Sequence, residues 1–459
     1  MAEEEKSRRG EMGFWTCTAL VVGNMVGSGV FLLPSALAPY GGLSLVGWLV
    51  STTGAVLLAL TFSRLARFNP AAGGPYAYTR DAFGGFAGYL CAWTYWKAAW
   101  IGNAAIAVTL VGYLQVFLPA LRDPVLTVAT AIGAIWLCTL INLRGIATFG
   151  YVQNILTLLK LVPLLLVGVL GWFYFNPEHL SIPEPAQLPG GGYAQAIATT
   201  AALTLWSFIG LESATVPAEH VRDPRRTIPR ATLVGTLVAA TVYILSITAV
   251  QGILPPEVLG RSTAPFADAA RVILGDWGYY FIAGGAVIAC LGALNGWVLL
   301  QGQIPMATAR DGLLPEALAK TNKNGVPANG LLVSGVLVTL LVLVDGQGDL
   351  VEVFNVIILL GTMAGVVPYV FCAAALLHLM AVRPGDFGRR ESGRLLWIGC
   401  CAFIYSMWAL YGTGEQAIFW GFLVLMVGIP LYTWRQWRNR VQADRLTASG
   451  SQPTSPGNP

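Results

Sequence analysis

The chain has unusually few charged residues. Of its 459 residues only 11% are charged, whereas 55% are hydrophobic. A soluble globular protein carries about 25% charged residues, so the composition excludes both an ordinary soluble enzyme and a disordered chain. The sequence instead predicts a membrane protein, in which each helix needs about 20 apolar residues to cross the bilayer.

Histidines and paired cysteines are also scarce. There are three histidines and seven cysteines, with no CxxC motif among them. Each cysteine stands in an apolar run: Cys17, Cys91, Cys138, Cys290, Cys372, Cys400 and Cys401. We interpret them as small hydrophobic residues, and we predict no disulfide, no metal site, no cofactor and no catalytic residues.

Twelve apolar segments follow one another along the chain. They run 14–36, 43–66, 84–118, 125–143, 151–175, 196–219, 231–254, 278–308, 327–345, 351–378, 395–413 and 416–434. They form two groups of five, 14–175 and 196–378, followed by a pair at 395–434, with polar ends at 1–13 and 435–459. The predicted fold is an all-α integral membrane protein with twelve transmembrane helices. The first apolar run is too long and glycine-rich for a cleaved signal peptide.

The positive charges indicate an orientation. With the N-terminus inside, 22 of the 27 lysines and arginines fall in inside segments, three fall in outside loops, and Lys97 and Lys160 lie within spans. Because cytoplasmic loops carry the excess of Lys and Arg, both termini are predicted to be cytoplasmic. The small net charge of +4 gives no indication of nucleic acid binding.

Two segments are interrupted by residues that suit a helix poorly. Residues 23–29 contain three glycines, and residues 206–212 contain Gly210 and the carboxylate of Glu212. These are the first segments of the two five-span halves, and paired interruptions of this kind are typical of a transporter binding site. The alternative is that small residues merely allow close helix packing.

The two interruptions predict complementary chemistry. Unwinding at residues 27–29 would present the backbone amides of Gly27, Ser28 and Gly29 at the start of a half-helix, where they bind an anion such as a carboxylate. The second break would leave the carbonyls of Trp206 and Ile209 free to accept from an ammonium. Together they suit an α-amino acid.

Four stretches carry a family resemblance: GNMVGSGVFLLP, PAAGGPYAYTRDAFG, YWKAAWIGN and LWSFIGLESATVPAEHVRDPRRTIPRA. From about residue 12 to about residue 435 the chain resembles the amino acid–polyamine–organocation transporters, especially the bacterial basic amino acid/polyamine antiporters of the arginine/agmatine type. The resemblance implies two inverted five-helix repeats with unwound helices 1 and 6, plus two further helices. It also implies an inner-membrane protein, often a homodimer, that exchanges an amino acid for its decarboxylated amine by alternating access.

The resemblance also implies roles for particular residues. Together with Gly27, the substrate-binding positions are Met25, Ser28, Gly29, Ala98, Ala99, Asn103, Trp206, Ile209, Trp297 and Gly361. The gating aromatics are Tyr95, Trp297 and Tyr369, and Glu212 is the carboxylate implicated in acid sensing. Two of these roles have independent physical support, since an indole attracts a cation and a carboxylate within a span is functional by default. A structural hydrogen bond is the alternative for Glu212.

Three departures from the family pattern bear on the substrate and on coupling. Gly361 replaces a hydroxyl residue and Ala99 replaces a cysteine. Both changes remove polar partners for the substrate, so the resemblance supports arginine itself less strongly than it supports the wider substrate class. Lys160 stands where proton-coupled amino acid transporters and light-chain-type exchangers have a lysine. There the ammonium takes the place of a second sodium ion and braces segments 1 and 8. We therefore predict sodium independence, and leave open whether Lys160 titrates or is a fixed brace.

Lys97 lies on a different face from the predicted site. At about 100° per residue, it points away from the face of Tyr95, Ala98 and Asn103, so we expect it to face another helix or an interface. The function that fits these observations is amino acid/polyamine exchange. The alternatives are a proton-coupled transporter of neutral amino acids and a membrane-embedded enzyme or channel.

Overall fold

The structure is a computed structural model that describes residues 12–69, 73–144, 149–216, 218, 221–345, 348–386 and 389–448. Within these ranges the regular structure is helical, apart from one isolated β-bridge between Met12 and Val221. Most of the predicted N-terminal tail and the last residues of the C-terminal tail, 1–11 and 449–459, lie outside the described residues.

Sixteen α-helices are described. They are α1 (Phe14–Met25), α2 (Ser28–Phe31), α3 (Leu33–Leu37), α4 (Leu43–Phe68), α5 (Pro75–Phe83), α6 (Gly85–Leu114), α7 (Pro124–Leu143), α8 (Phe149–Leu170), α9 (Tyr193–Trp206), α10 (Pro224–Ile253), α11 (Pro256–Leu259), α12 (Pro265–Arg310), α13 (Ala328–Asp345), α14 (Leu350–Val382), α15 (Arg389–Gly412) and α16 (Glu415–Ala448). Short 3-10 helices join them at Ala38–Tyr40, Pro119–Arg122, Gly171–Tyr174, Pro177–Leu180, Pro185–Gln187, Ser213–Thr215, Glu316–Ala319 and Pro384–Asp386.

Within the described residues, eight helices are long and apolar enough to cross a membrane: α4, α6, α7, α10, α12, α14, α15 and α16. Shorter apolar helices lie at Phe14–Met25, Lys160–Tyr174 and Ala328–Val344. The sequence-based prediction of an all-helical, multi-pass membrane protein is thereby confirmed.

Some of the predicted segment boundaries differ from the helices. The eighth segment was expected to begin at residue 278, but α12 begins at Pro265 and bends at Gly275, whose φ of 70° interrupts the helix. The sixth segment was expected to reach residue 219, but α9 ends at Trp206. Helix α5 was not predicted, because it is short and polar, starting at Pro75 and ending at Phe83, before the C-cap Gly84.

Helix α6 lies at the centre of the bundle. In the 18-residue apolar stretch of α6, 89% of the residues are buried, whereas in that of α16 only 11% are buried. Helix α6 packs against α12 and α14, and α4 packs against α9 and α10. Because a helix that is apolar all round and buried belongs to the interior, α6 forms part of the core next to both helix interruptions, and α16 lies at the periphery.

Candidate functional site

The first helix interruption lies between α1 and α2. Helix α1 ends at Met25, and Val26 and Gly27 are not helical before α2 begins at Ser28. In a continuous helix the carbonyls of Gly23 and Asn24 would accept from the amides four residues later. The interruption therefore releases these two carbonyl oxygens inside the bundle, where each needs another donor.

Both released carbonyls are held by side chains from other helices. The Lys160 ammonium on α8 donates to the Gly23 oxygen, and the Trp297 indole on α12 donates to the Asn24 oxygen at 3.1 Å. Lys160 is only 1% exposed. Its contact reaches the first segment, as the resemblance implied.

The second interruption follows Trp206. The chain turns through successive bonds three residues apart, including Ile209 N to the Trp206 oxygen at 3.2 Å. The Trp206 carbonyl thus already accepts one hydrogen bond, whereas the sequence analysis expected it to be free. Gly210 has a φ of 112°, a conformation that L side chains rarely adopt, and its backbone lies against Asn24 of the first interruption.

A cavity lies where the two interruptions meet. It is lined by Asn24, Met25, Gly27, Gly29, Ala98, Gly102, Ile106, Trp206, Ile209 and Trp297. Among these lining residues none is charged, and the polar groups are one side-chain amide, two indoles and the backbone. Such a lining suits a ligand with an apolar stem that bonds through its ends.

Seven of the eleven predicted substrate-binding residues line this cavity: Met25, Gly27, Gly29, Ala98, Trp206, Ile209 and Trp297. Ser28 begins α2, but its side chain lies outside the described residues. Ala99 is buried beside the cavity-lining face of α6, and Gly361 lies behind the Trp206 ring.

Asn103 is also placed away from the lining. Its Nδ2 donates to the Gln301 Oε1 at 2.7 Å, and both residues are fully buried between α6 and α12. Asn103 Oδ1 and Gln301 Nε2 have no hydrogen-bond partner among the described residues.

Three lining residues were not predicted. Gly102 and Ile106 stand one and two turns after Ala98 on α6, so extending that helical face would have found them. Asn24 lies inside the predicted first interruption, but its contribution depends on how the two interruptions meet in space.

Glu212 forms a cluster with two of the predicted gating aromatics. The Tyr95 hydroxyl donates to Glu212 Oε1 at 2.7 Å, and the Tyr369 hydroxyl donates to Oε2 at 2.5 Å. The Gly210 amide donates to Oε2 at 3.2 Å. We call Glu212, Tyr95 and Tyr369 the Glu212 cluster. It joins α6 and α14 to the second interruption through one buried carboxyl group.

Lys97 faces α16, as its position on α6 predicted. Its ammonium donates to the Val424 carbonyl and lies 4.0 Å from the centre of the Trp93 ring. Trp93 Nε1 donates to the same carbonyl at 3.0 Å, and the Tyr89 hydroxyl donates to the Gly428 oxygen at 2.7 Å. These five residues form what we call the α6–α16 seam.

A second polar cluster joins α5 to the end of α12. The Tyr76 hydroxyl donates to Asp311 Oδ2 at 2.6 Å, and Arg80 pairs with the same carboxylate. Burial, followed by the hydrogen bond to Asp311, raises the pKa of Tyr76 above its usual range. We call Tyr76, Arg80 and Asp311 the Asp311 cluster; sequence analysis did not identify it.

The fold and the cavity define a class of protein, a helical membrane carrier with a central site between two interrupted helices. The sequence pattern of the amino acid permease family matches residues 12–436. The chain belongs to this family of transporters, so the resemblance found in the four stretches is confirmed.

Individual relatives cover nearly the whole chain. It is 33% identical over 450 residues to the cadaverine/lysine antiporter of Escherichia coli K12, covering 96% of this chain and 99% of that protein. It is 32% identical over 429 residues to the putrescine transporter PotE of the same strain, covering 93% and 96%. It is 31% identical over 427 residues to PotE of Haemophilus influenzae, covering 93% and 97%.

Proposed function

We propose that the protein exchanges a basic amino acid for a linear diamine across the bacterial inner membrane, with lysine, cadaverine and putrescine as the substrate class. The observation that carries this proposal is the cavity between the two helix interruptions, in a chain that resembles a cadaverine/lysine antiporter over 96% of its length. The start of α2 would take a carboxylate, and an amino group would bind the carbonyl of Ile209 and the remaining lone pair of the Trp206 carbonyl, which already accepts from Ile209 N.

The two indoles support a cationic substrate. Trp206 and Trp297 both line the cavity, and a desolvated ammonium over an indole face gains about 2 kcal/mol. The apolar positions Ala98, Gly102 and Ile106 would lie along the methylene stem. No lining residue supplies a carboxylate, so the cation would be held by carbonyl oxygens and aromatic faces.

The architecture proposed for exchange is that of the family resemblance. It comprises twelve spans in two inverted five-helix repeats plus a final pair, with both termini cytoplasmic. Access to the cavity would be controlled in turn by Tyr95, Trp297, Tyr369 and Glu212. Lys160 would replace a sodium ion. The carrier would work with lipid on its apolar outer surface and, as the family resemblance implies, as a homodimer.

The test is counterflow in proteoliposomes. Vesicles loaded with lysine should take up labelled cadaverine or putrescine far faster than empty vesicles. Trp206→Leu should weaken apparent affinity by about tenfold, because the cation–aromatic contact is lost. Trp397→Leu is the matched control, since Trp397 is 74% exposed on α15. An uptake rate that is the same in loaded and empty vesicles would refute the exchange mechanism.

The alternative is proton-coupled transport of neutral amino acids. It is favoured by one observation, the absence of charged side chains among the described residues that line the cavity. The same vesicles separate the two functions. Uptake of a neutral amino acid into empty vesicles, driven by an inward proton gradient and unaffected by cadaverine, would establish the alternative and overturn our proposal.

A further inference from the structure

The Trp206 indole rests on glycines from three different helices. A Cβ at Gly361 on α14 would lie 2.7 Å from Trp206 Cζ3, and one at Gly102 on α6 would lie 3.0 Å from Cη2. A Cβ at Gly29 on α2 would lie 2.7 Å from Cδ1. We call these three glycines the glycine seat. The ring occupies the space that side chains would fill at all three positions.

The seat contacts both rings of the indole. Gly361 and Gly102 meet the six-membered end of the indole, while Gly29 meets its five-membered side. Trp206 also lines the cavity. Because the ring is rigid and the seat is backbone, a side chain added at the seat would displace the indole, and we expect the displacement to be towards the cavity, the open space that the ring borders.

We propose that Gly361 and Gly102 are specificity-determining residues that set how long a substrate the cavity accepts. By letting the indole lie back against α6 and α14, they leave room for the stem of an extended ligand. Neither glycine bonds the substrate in this role; each acts by the absence of a side chain. The inference rests on the proposed function for the chemical class of the ligand, a linear molecule with polar ends.

The experiment compares chain lengths in one competition assay. Labelled lysine uptake into proteoliposomes is inhibited by 1,3-diaminopropane, putrescine and cadaverine, a series in which each member is longer by one methylene. In Gly361→Ala the affinity for cadaverine relative to 1,3-diaminopropane should fall by about tenfold. The substitution adds one methyl group to the seat, and one such group in a close-fitting pocket discriminates between ligands by about this factor. Gly102→Ala, with a looser contact, should shift the ratio in the same direction by less.

A second variant and a control separate the seat from general damage. Adding Trp206→Phe to Gly361→Ala supplies a smaller ring and should restore the ratio towards the wild-type value. Gly428→Ala is the matched control, because its Cβ would lie 2.5 Å from Trp93 Nε1, in the α6–α16 seam and outside the cavity lining. It should alter the affinities for all three diamines equally, leaving the ratio unchanged.

Each outcome decides one of the two claims. If lysine and diamines bind the wild type but the ratio is unchanged in both Gly361→Ala and Gly102→Ala, the seat does not set length and the inference is wrong. If no diamine or lysine binds the wild type, the proposed substrate class is wrong. The seat is then tested with neutral α-amino acids of increasing stem length, where the same shift against the longest member is expected.

Discussion

Two backbone oxygens at the end of α1 show how single residues hold the site. The Gly23 and Asn24 carbonyls lose their helical donors, and Lys160 and Trp297 supply replacements. A buried carbonyl left without a donor costs about 1–3 kcal/mol. The interrupted first helix is therefore stable only with donors from α8 and α12.

Removing the Lys160 ammonium should impair both folding and transport. Lys160→Ala leaves the Gly23 carbonyl unpaired, so we expect a lower melting temperature in detergent and a loss of most exchange activity. In the wild type, replacing sodium by choline should leave the uptake rate unchanged. The control is Lys323→Ala, an exposed lysine. Steep sodium dependence, or normal exchange by Lys160→Ala, would contradict this account of the residue.

The Glu212 cluster should make transport depend on pH. When Glu212 is ionised it accepts from Tyr95 and Tyr369 together, and protonation removes acceptor capacity. We expect exchange to rise on mild acidification, as the tie between α6, α14 and the second interruption weakens. Glu212→Gln fixes the site without charge and should flatten the profile, measured as vesicle exchange from mildly acidic to neutral pH.

The matching control is Glu257→Gln, which neutralises an exposed carboxylate and should keep the wild-type pH profile. An unchanged profile in Glu212→Gln would remove Glu212 from the pH response. Lys160 would then be the residue to examine, because its buried ammonium contacts the first interrupted helix.

At the scale of helices, the interruptions were predictable and their partners were not. Three glycines within residues 23–29 encode the first interruption locally, and Gly210 has the positive φ that favours glycine. By contrast, Trp297 reaches Asn24 across 273 residues of sequence, and Tyr76 reaches Asp311 across 235. Such pairs depend on how the helices pack, which spacing along one chain does not reveal.

Helix faces account for the remaining differences in the site. Ala98 predicted the correct side of α6, and the same side includes Gly102 and Ile106. Asn103, the residue directly after Gly102, is rotated towards Gln301 instead. The helical bend at Gly275 escaped prediction because the apolar pattern of the eighth segment begins only after it.

Gly210→Ala should weaken the second interruption. A side chain at a φ of 112° is strained, which costs about 1–3 kcal/mol, and the new methyl would lie 3.3 Å from the Asn24 backbone. We expect reduced thermal stability and a larger fall in exchange rate than in expression. Gly133→Ala is the control, since a Cβ there meets nothing within 4 Å. Equal behaviour of the two variants would show that the left-handed turn is dispensable.

For the molecule as a whole, the Asp311 cluster lies at one end of the bundle and ties α5 to α12. It lies on the side predicted to be cytoplasmic. Neither Tyr76 nor Asp311 lines the cavity, so the cluster can influence conformation without contacting substrate. Because the pKa of Tyr76 is raised, its phenol stays protonated at neutral pH. The stabilisation that depends on this proton is lost only as the pH rises through the raised value.

Tyr76→Phe should loosen α5 selectively. Losing a hydrogen bond to a carboxylate costs about 1.5 kcal/mol, or roughly tenfold in a local opening equilibrium. Hydrogen exchange of the backbone in Pro75–Phe83 should therefore accelerate by about tenfold, while the apparent affinity for substrate stays unchanged. Tyr411→Phe, at an exposed tyrosine on α15, should change neither quantity. An unaltered rate of backbone hydrogen exchange in Pro75–Phe83 would show that the hydrogen bond from Tyr76 to Asp311 does not stabilise α5.

The α6–α16 seam also bears on how the protein is made. Helix α6 carries Lys97, Trp93 and Tyr89, yet the Val424 and Gly428 carbonyls that accept from them belong to α16 and lie 327 to 339 residues later in the chain. A cation within the hydrocarbon is costly until it is paired. The central helix of the carrier therefore lacks these acceptors until α16 has been synthesised, and we expect α6 to reach its native packing only after α16 has inserted.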